Sequence, residues 1–296
     1  MNQNYTINVS DSTVRSGQLA RLNINHPRAQ AEVFLQGAHV THWQPEGFDP
    51  VLFVSGRSKF SPGVPIRGGV PICFPWFATH ATDPALPAHG FVRTREWDLV
   101  SANENEAGVS LHFQTGSDEA SHELWESDFL ADFRVSIGRT LEMRLTISNT
   151  GETPIKFEEA LHTYFRISDI HDIAVTGLQG VTYLDKPANM RRVVEEADEI
   201  RFTAETDRVY LNTPHPCTIE DPGMKRRIVI EKSNSASTVV WNPFDAKAAK
   251  APDIGSDNWR GFVCVETANC QDNVISLEPG RSHEMAVKLH VERLEL

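Results

Sequence analysis

The sequence lacks most of the marks that assign a protein at sight. Only four of its 296 residues are cysteine, at positions 73, 217, 264 and 270, and no two form a C-x-x-C pair. That excludes a disulfide framework and a cysteine-built zinc fold, and it predicts reduced thiols in a cytoplasmic setting. Cys264, inside an apolar run, reads as a small core hydrophobe. No apolar stretch reaches the ~20 residues that span a bilayer. The opening "MNQNYTINVSDSTVRSGQ" has no apolar segment behind a basic start, so no secretory leader is expected. Positive charge is also short: 28 Lys and Arg stand against 40 Asp and Glu, a net charge of −12. Such a balance argues against nucleic acid or an anionic membrane as partner. It leaves room for a small anion held by a local pair of arginines. G-x-S-x-G, P-loop and G-x-G-x-x-G patterns are missing too, and with them the chemistries they serve. His39 and His42 lie three apart on a probable strand and so on opposite faces. Neither they nor His80 and His89 show a multidentate spacing. No metal and no other cofactor is expected.

Helical patterning is scarce as well. Only "SDEASHELWES" (117–127) reads as a short helix, with a weak second signal near 195–206. Period-two alternation is what the chain has in quantity. Phe129, Ala131, Phe133, Val135 and Ile137 share one face of "FLADFRVSIG". Leu141, Met143, Leu145 and Ile147 share one face of "LEMRLTISNT", and "GVSLHFQTG" and "HEMAVKLHV" repeat the pattern. Alternation of this kind marks strands with one buried face. Breaks at 102–108, at Gly138-Arg139 and at 220–225 have hairpin character. Many strands, few helices and no βα alternation point to an all-β fold, a large antiparallel β-sandwich forming one domain over 1–296. The Pro- and Gly-rich stretch 56–90 is the longest without alternation. Loops that long are functional or disordered, and Phe60, Phe74, Trp76 and Phe77 argue against disorder.

Four segments could carry chemistry. In "IKFEEALHTYFRI" (155–167), Ile155, Phe157, Leu161, Phe165 and Ile167 share a face interrupted by Glu159 and Thr163. His162 falls on the other face with Glu158, Ala160, Tyr164 and Arg166, which predicts a polar sheet surface beside a tyrosine. In "GFVCVETAN" (261–269), Glu266 ends an apolar strand on the face of Phe262 and Cys264. Desolvation there raises a carboxyl toward the range useful for a general base. Asp207 and Arg208 precede an apolar strand. In "VVWNP", Trp241 stands where an indole could wall a sugar site or fill a core.

Together these pieces resemble one family, the hexose-6-phosphate mutarotases (glucose-6-phosphate 1-epimerases) of the aldose 1-epimerase superfamily. The matching segments are "LQGAHVTHWQP", "IRGGVPICFPWF", "LPAHGFVRTREW", "EALHTYF", "TDRVYLN", "VVWNP" and "FVCVETAN", in family order from residue 35 to 269. The resemblance implies a β-supersandwich of galactose mutarotase type, with the sugar site on the concave face of one sheet. It implies His162 and Glu266 as the catalytic pair, and Arg67, Arg93 and Asp207 as substrate-binding residues. His89 matches a site histidine of the wider superfamily. Some members, as in fungi, carry a substrate-contacting Gln just before that histidine. Here it is Ala88, so that contact is lost or replaced.

Anomerisation of a hexose requires one group to take the O1 proton and another to protonate the ring oxygen. The C1–C2 bond then rotates and the ring recloses. Glu266 suits the base and His162 the acid, since an unperturbed histidine titrates near about 6.5. Arginine makes planar bidentate contacts to phosphate, so Arg67 and Arg93 are expected to face a 6-phosphate or the hydroxyls beside it. The residues alone leave open an epimerase for neutral sugars and a non-catalytic carbohydrate-binding sandwich.

Overall fold

A computed structural model describes residues 6–11 and 19–295. Two large antiparallel sheets dominate it. One has nine strands in the order Glu199–Ile200, Ala174–Thr176, Cys217–Asp221, Arg226–Ser233, Ser282–Arg293, Leu141–Asn149, Phe129–Gly138, Gly108–Gly116 and Asp98–Asn105. The second has eight, running Arg191–Val194, Thr182–Asp185, Thr206–Leu211, Ser237–Asn242, Phe262–Asn269, Glu159–Leu161 and Ile72–Cys73. Its eighth strand, Tyr164–Arg166, pairs with the far end of Phe262–Asn269. A four-stranded sheet of residues 6–45 and a two-stranded ribbon complete the set. The antiparallel sandwich expected from alternation is therefore present.

The apolar faces read from the sequence form the core. Phe129, Ala131, Phe133, Val135 and Ile137 are buried, as are Leu141, Met143, Leu145 and Ile147. They join Leu161, Phe165, Val263 and Val265 of the eight-stranded sheet in one apolar cluster. The three expected hairpins are found, closing at 106–107, 139–140 and 222–225. Glu159, which breaks the apolar pattern of its strand, is fully enclosed, with His283 Nε2 3.1 Å from its carboxylate and Asn269 donating a hydrogen bond at 2.8 Å. A buried carboxylate needs such partners.

The helix expected at 117–127 shrinks to Glu119–His122, started by a reciprocal bond pair between Asp118 and Ser121. No helix forms at 195–206; the short strand Glu199–Ile200 lies there instead, because its apolar Ile200 is drawn into the core. Helices appear where none was expected, at Phe244–Lys250 and Gly255–Asn258. Among the described residues no helix is long and apolar enough to cross a membrane.

Within the 56–90 stretch only Ile72–Cys73 joins a ladder; isolated bridges and loop contacts order the rest. Phe91 N–H donates to Phe74 O at 3.1 Å, and Gly90, at φ +71°, lets the two backbones meet. A Cβ there would lie 1.9 Å from Phe74 O. Gly90→Ala should lower stability by more than about 1 kcal/mol, measured as the urea midpoint at unchanged slope. A wild-type midpoint would show that the loop can be built another way.

Candidate active site

Register builds the site. Leu161 pairs with Thr267 and Tyr164 with Cys264, so His162, between them, falls opposite Glu266. Across the next ladders Glu266 faces Val239 and Cys264 faces Trp241, and Trp241 faces Asp207. One step beyond the last pair of the neighbouring ladder, Lys186 comes opposite Asp207. The same face of the sheet thus carries two rows, His162–Glu266–Val239 and Tyr164–Cys264–Trp241–Asp207–Lys186.

His162, Glu266, Val239, Trp241, Asp207 and Lys186 of these rows floor a pocket of about 210 Å³, while Tyr164 and Cys264 lie outside its lining. Arg67, Phe77, Ala78, Ala88, His89 and Lys247 complete its wall. The volume lies below the ~300–1,000 Å³ of sites for drug-sized ligands and suits one small polar molecule. Larger hollows lie elsewhere. That of 860 Å³ is walled by the turns around Arg28, Asn105 and Arg139 and gathers no buried acid–base pair.

His162 and Glu266 are 6% and 2% exposed, more enclosed than the polar sheet surface the sequence suggested. Their Nδ1 and Oε1 stand 3.2 Å apart, yet the alignment is not that of a hydrogen bond, and Nδ1 and Oε2 lack hydrogen-bond partners. The imidazole stacks on Tyr164 at 4.8 Å and meets Trp241 edge-on at 5.9 Å. Burial pushes Glu266 well above the usual carboxyl range. Burial first, with the charges of Arg67, Arg93 and Lys186 adding to it, pushes His162 well below 6.5. Both shifts favour the uncharged forms, a protonated carboxyl and a neutral imidazole, which runs against the ionised base and charged acid expected from the sequence. One proton shared by two groups that titrate as a pair still supplies one acid and one base.

His89 sits in the left-handed region, at φ +65°. Its Nδ1 accepts the Ala78 N–H at 3.2 Å and lies 3.4 Å from Cys73 Sγ. A backbone N–H can only donate, so the neutral ring keeps its single hydrogen on Nε2. Burial is the main reason that ring stays neutral.

The cations divide differently from the expectation. Arg67 reaches the pocket, but its fork is already engaged: Nε donates to Asp253 at 2.8 Å and NH1 to the Tyr164 hydroxyl at 3.0 Å. Arg93 does not line the pocket. It donates to the Ala88 carbonyl at 2.7 Å, and its buried Nε has no partner. The two basic residues on the wall that sequence reasoning missed are Lys186 and Lys247. Lys186 Nζ is 3.2 Å from Asp207 and Lys247 Nζ is 3.7 Å from it. Lys247 rides on the helix after "WNP", where the Ala-rich "DAKAAK" was a signal; Lys186 follows a strand end and had none.

A buried histidine and carboxyl 3.2 Å apart on a sheet floor, with an indole and cations around them in an antiparallel β-sandwich, are the groups that a sugar-isomerising site requires. Comparison with known proteins agrees. The Aldose 1-epimerase family model matches residues 20–290. A "Putative glucose-6-phosphate 1-epimerase" of Escherichia coli (strain K12) is 40% identical over 85% of this chain and 83% of its own length. One of the same name from Cenchrus ciliaris is 35% identical over 84% and 78%. The crystal structure of "a putative mutarotase (YeaD)" from Salmonella typhimurium superposes with a TM-score of 0.87 at 34% identity, covering 93% and 91% of the two chains. The chain belongs to the aldose 1-epimerase family. It is an epimerase with a sugar as substrate and a galactose mutarotase-like fold.

The pKa directions give a direct test. In an NMR titration, the His162 ring should keep its neutral chemical shift as pH is lowered from 7.5 through 6.5, since its second proton binds only well below 6.5. A midpoint at or above 6.5 would refute the assignment.

Proposed function

We propose that the protein interconverts the α and β anomers of a hexose 6-phosphate, D-glucose 6-phosphate being the first candidate, with His162 and Glu266 as the acid–base pair. The observation that carries the reading is the charge of the pocket. On a chain of net charge −12, Arg67, Lys186 and Lys247 converge on one small pocket, each beside a carboxylate, Asp253, Asp207 and Glu205 in turn, from which a dianionic phosphate can draw it. A small neutral sugar has no need of three cations so close together. The names of the relatives point the same way.

The sugar ring lies against Trp241, an aromatic face suited to a pyranose. Its O1 and O5 lie against the buried pair, so one member takes the O1 proton while the other protonates O5. The dianionic ligand raises the proton affinity of both groups, His162 included, and so favours the imidazolium that serves as acid. Rotation about C1–C2 and the reverse transfers close the other anomer. His89, holding its hydrogen on Nε2, donates to a sugar oxygen, and Asp207 accepts from a hydroxyl. The phosphate is read by Arg67 together with Lys186 and Lys247, and Arg93 supports the loop from behind through Ala88. The chemistry calls for no cofactor. Four buried free thiols support a reducing, cytoplasmic setting.

Anomer exchange followed by NMR, with the spontaneous rate subtracted, tests the pair. His162→Ala and Glu266→Gln should each lower kcat by about 10²–10⁴-fold, and the double variant little further, because the two act as a unit. Retained rates would leave only a carbohydrate-binding sandwich. Lys186→Met tests the phosphate. It should lower kcat/KM for hexose 6-phosphate by about tenfold or more, the worth of one charged hydrogen bond, and leave that for free hexose almost unchanged. Equal acceleration of free hexose and hexose 6-phosphate by the wild type would overturn the phosphate reading.

A further inference from the structure

One buried side chain beside the acid–base pair has no part in the chemistry above. Cys264 stands two residues before Glu266 on the same strand and therefore on the same face. His162, Cys264 and Glu266 place an imidazole nitrogen, a thiol sulfur and a carboxylate oxygen within 4.8 Å of one another, all three residues buried. Two of these groups have unmet bonding capacity, since His162 Nδ1 and Glu266 Oε2 are buried without hydrogen-bond partners. A buried polar atom without a partner is costly, and here two point to the same small volume.

The geometry points to a second use for this trio: it is a capture site for a thiophilic divalent cation of the zinc class, which seats on the pocket floor and reversibly switches the epimerase off. Three donors no more than 4.8 Å apart have a common centre at most about 2.8 Å from each. Zinc bonds run about 2.0–2.3 Å, so side-chain shifts of several tenths of an ångström bring all three into range. The 3.2 Å between His162 Nδ1 and Glu266 Oε1 is already close to the ~3.3 Å edge that a tetrahedron with ~2.0 Å bonds requires. The donor set of nitrogen, sulfur and oxygen with one position open to the pocket is that of a three-ligand zinc site. Magnesium and calcium, which need six or more oxygens, are not served by it.

The charges balance. Cys264 gives up its thiol proton and Glu266 its carboxyl proton, both to solvent, and the thiolate and carboxylate neutralise the doubly charged ion. Neutral His162 contributes its Nδ1 lone pair. Nothing is oxidised or reduced. Arg67 and Lys186 oppose the entry of a free cation, and the two anions formed at the floor offset them. Because the ion occupies the lone pairs that move protons during turnover, metal and sugar exclude each other.

The test uses the whole protein, freed of metal with a chelator. Titration with Co²⁺ as a spectroscopic stand-in should give one ion per chain and a thiolate-to-cobalt charge-transfer band in the near ultraviolet. Zn²⁺ should displace it and abolish anomer exchange, and chelator should restore the rate. Cys264→Ser should lose the charge-transfer band and weaken zinc binding and inhibition by at least about tenfold, with anomer exchange in the absence of metal kept near wild type. Cys264→Ala should do the same, which covers a folding defect peculiar to the serine. Cys217→Ser, a buried thiol outside the cluster, should change nothing. A cobalt complex without the thiolate band, or undiminished zinc sensitivity in both Cys264 variants, overturns the proposal. The cobalt spectrum requires no substrate, so it stands or falls apart from the hexose 6-phosphate reading.

Discussion

The Phe262–Asn269 strand runs through the middle of the eight-stranded sheet with every residue buried, and its hydrogen-bond ladders decide where each functional group stands. Paired on one side with Glu159–Leu161 and Tyr164–Arg166, and on the other with Ser237–Asn242, it fixes His162 against Glu266 and Trp241 against Cys264. A slip of one residue along either ladder would turn one partner's whole row to the opposite face. The apolar residues between the functional ones, Val263 and Val265, lie in the core on the other face and hold the register. Packing on one side of the sheet thus sets the geometry of the chemistry on the other.

Desolvation is the second constraint, and it works against the cations. Around the His162–Glu266 pair it moves the two proton affinities apart, the carboxyl up and the imidazole down. Nearby positive charges deepen the drop for His162. An incoming anion is the natural counterweight. On the proposed function, its charge would offset those of Arg67 and Lys186 and so raise the proton affinity of His162.

Much of the fold was legible because alternation reports burial directly, as in Phe129–Gly138 and Leu141–Asn149, and because Gly and Asn punctuated the hairpins. His162 and Glu266 were legible through the motifs around them and through a carboxylate expected to end an apolar strand, a position that the structure makes mid-strand, since Phe262–Asn269 continues past it. Arg67 was found, but not that Asp253 and Tyr164 already engage its guanidinium, since Asp253 is 186 residues away. The resemblance implies Arg93 as a substrate-binding residue, expected to face a 6-phosphate or the hydroxyls beside it, whereas the structure turns it to the Ala88 carbonyl. Lys186 was missed because only the pairing of Thr182–Asp185 with Thr206–Leu211 brings it beside Asp207. Cys264 looked like plain core, and its closeness to His162 and Glu266 is a product of register. The helix misplaced to 195–206 failed for a related reason: tertiary burial of Ile200 outweighed weak local preference.

The central position of the Glu266 strand has a consequence for how the protein comes into being. Its neighbours in the sheet, Glu159–Leu161 and Ser237–Asn242, precede it in the chain, so a growing polypeptide must leave a gap between them until the strand emerges. The pocket wall draws on residues from Arg67 to Glu266. Such distant pairings form slowly, since the loops between them must close first. The acid–base pair is assembled only when most of the chain has been made and the sheet has closed around its last-arriving strand.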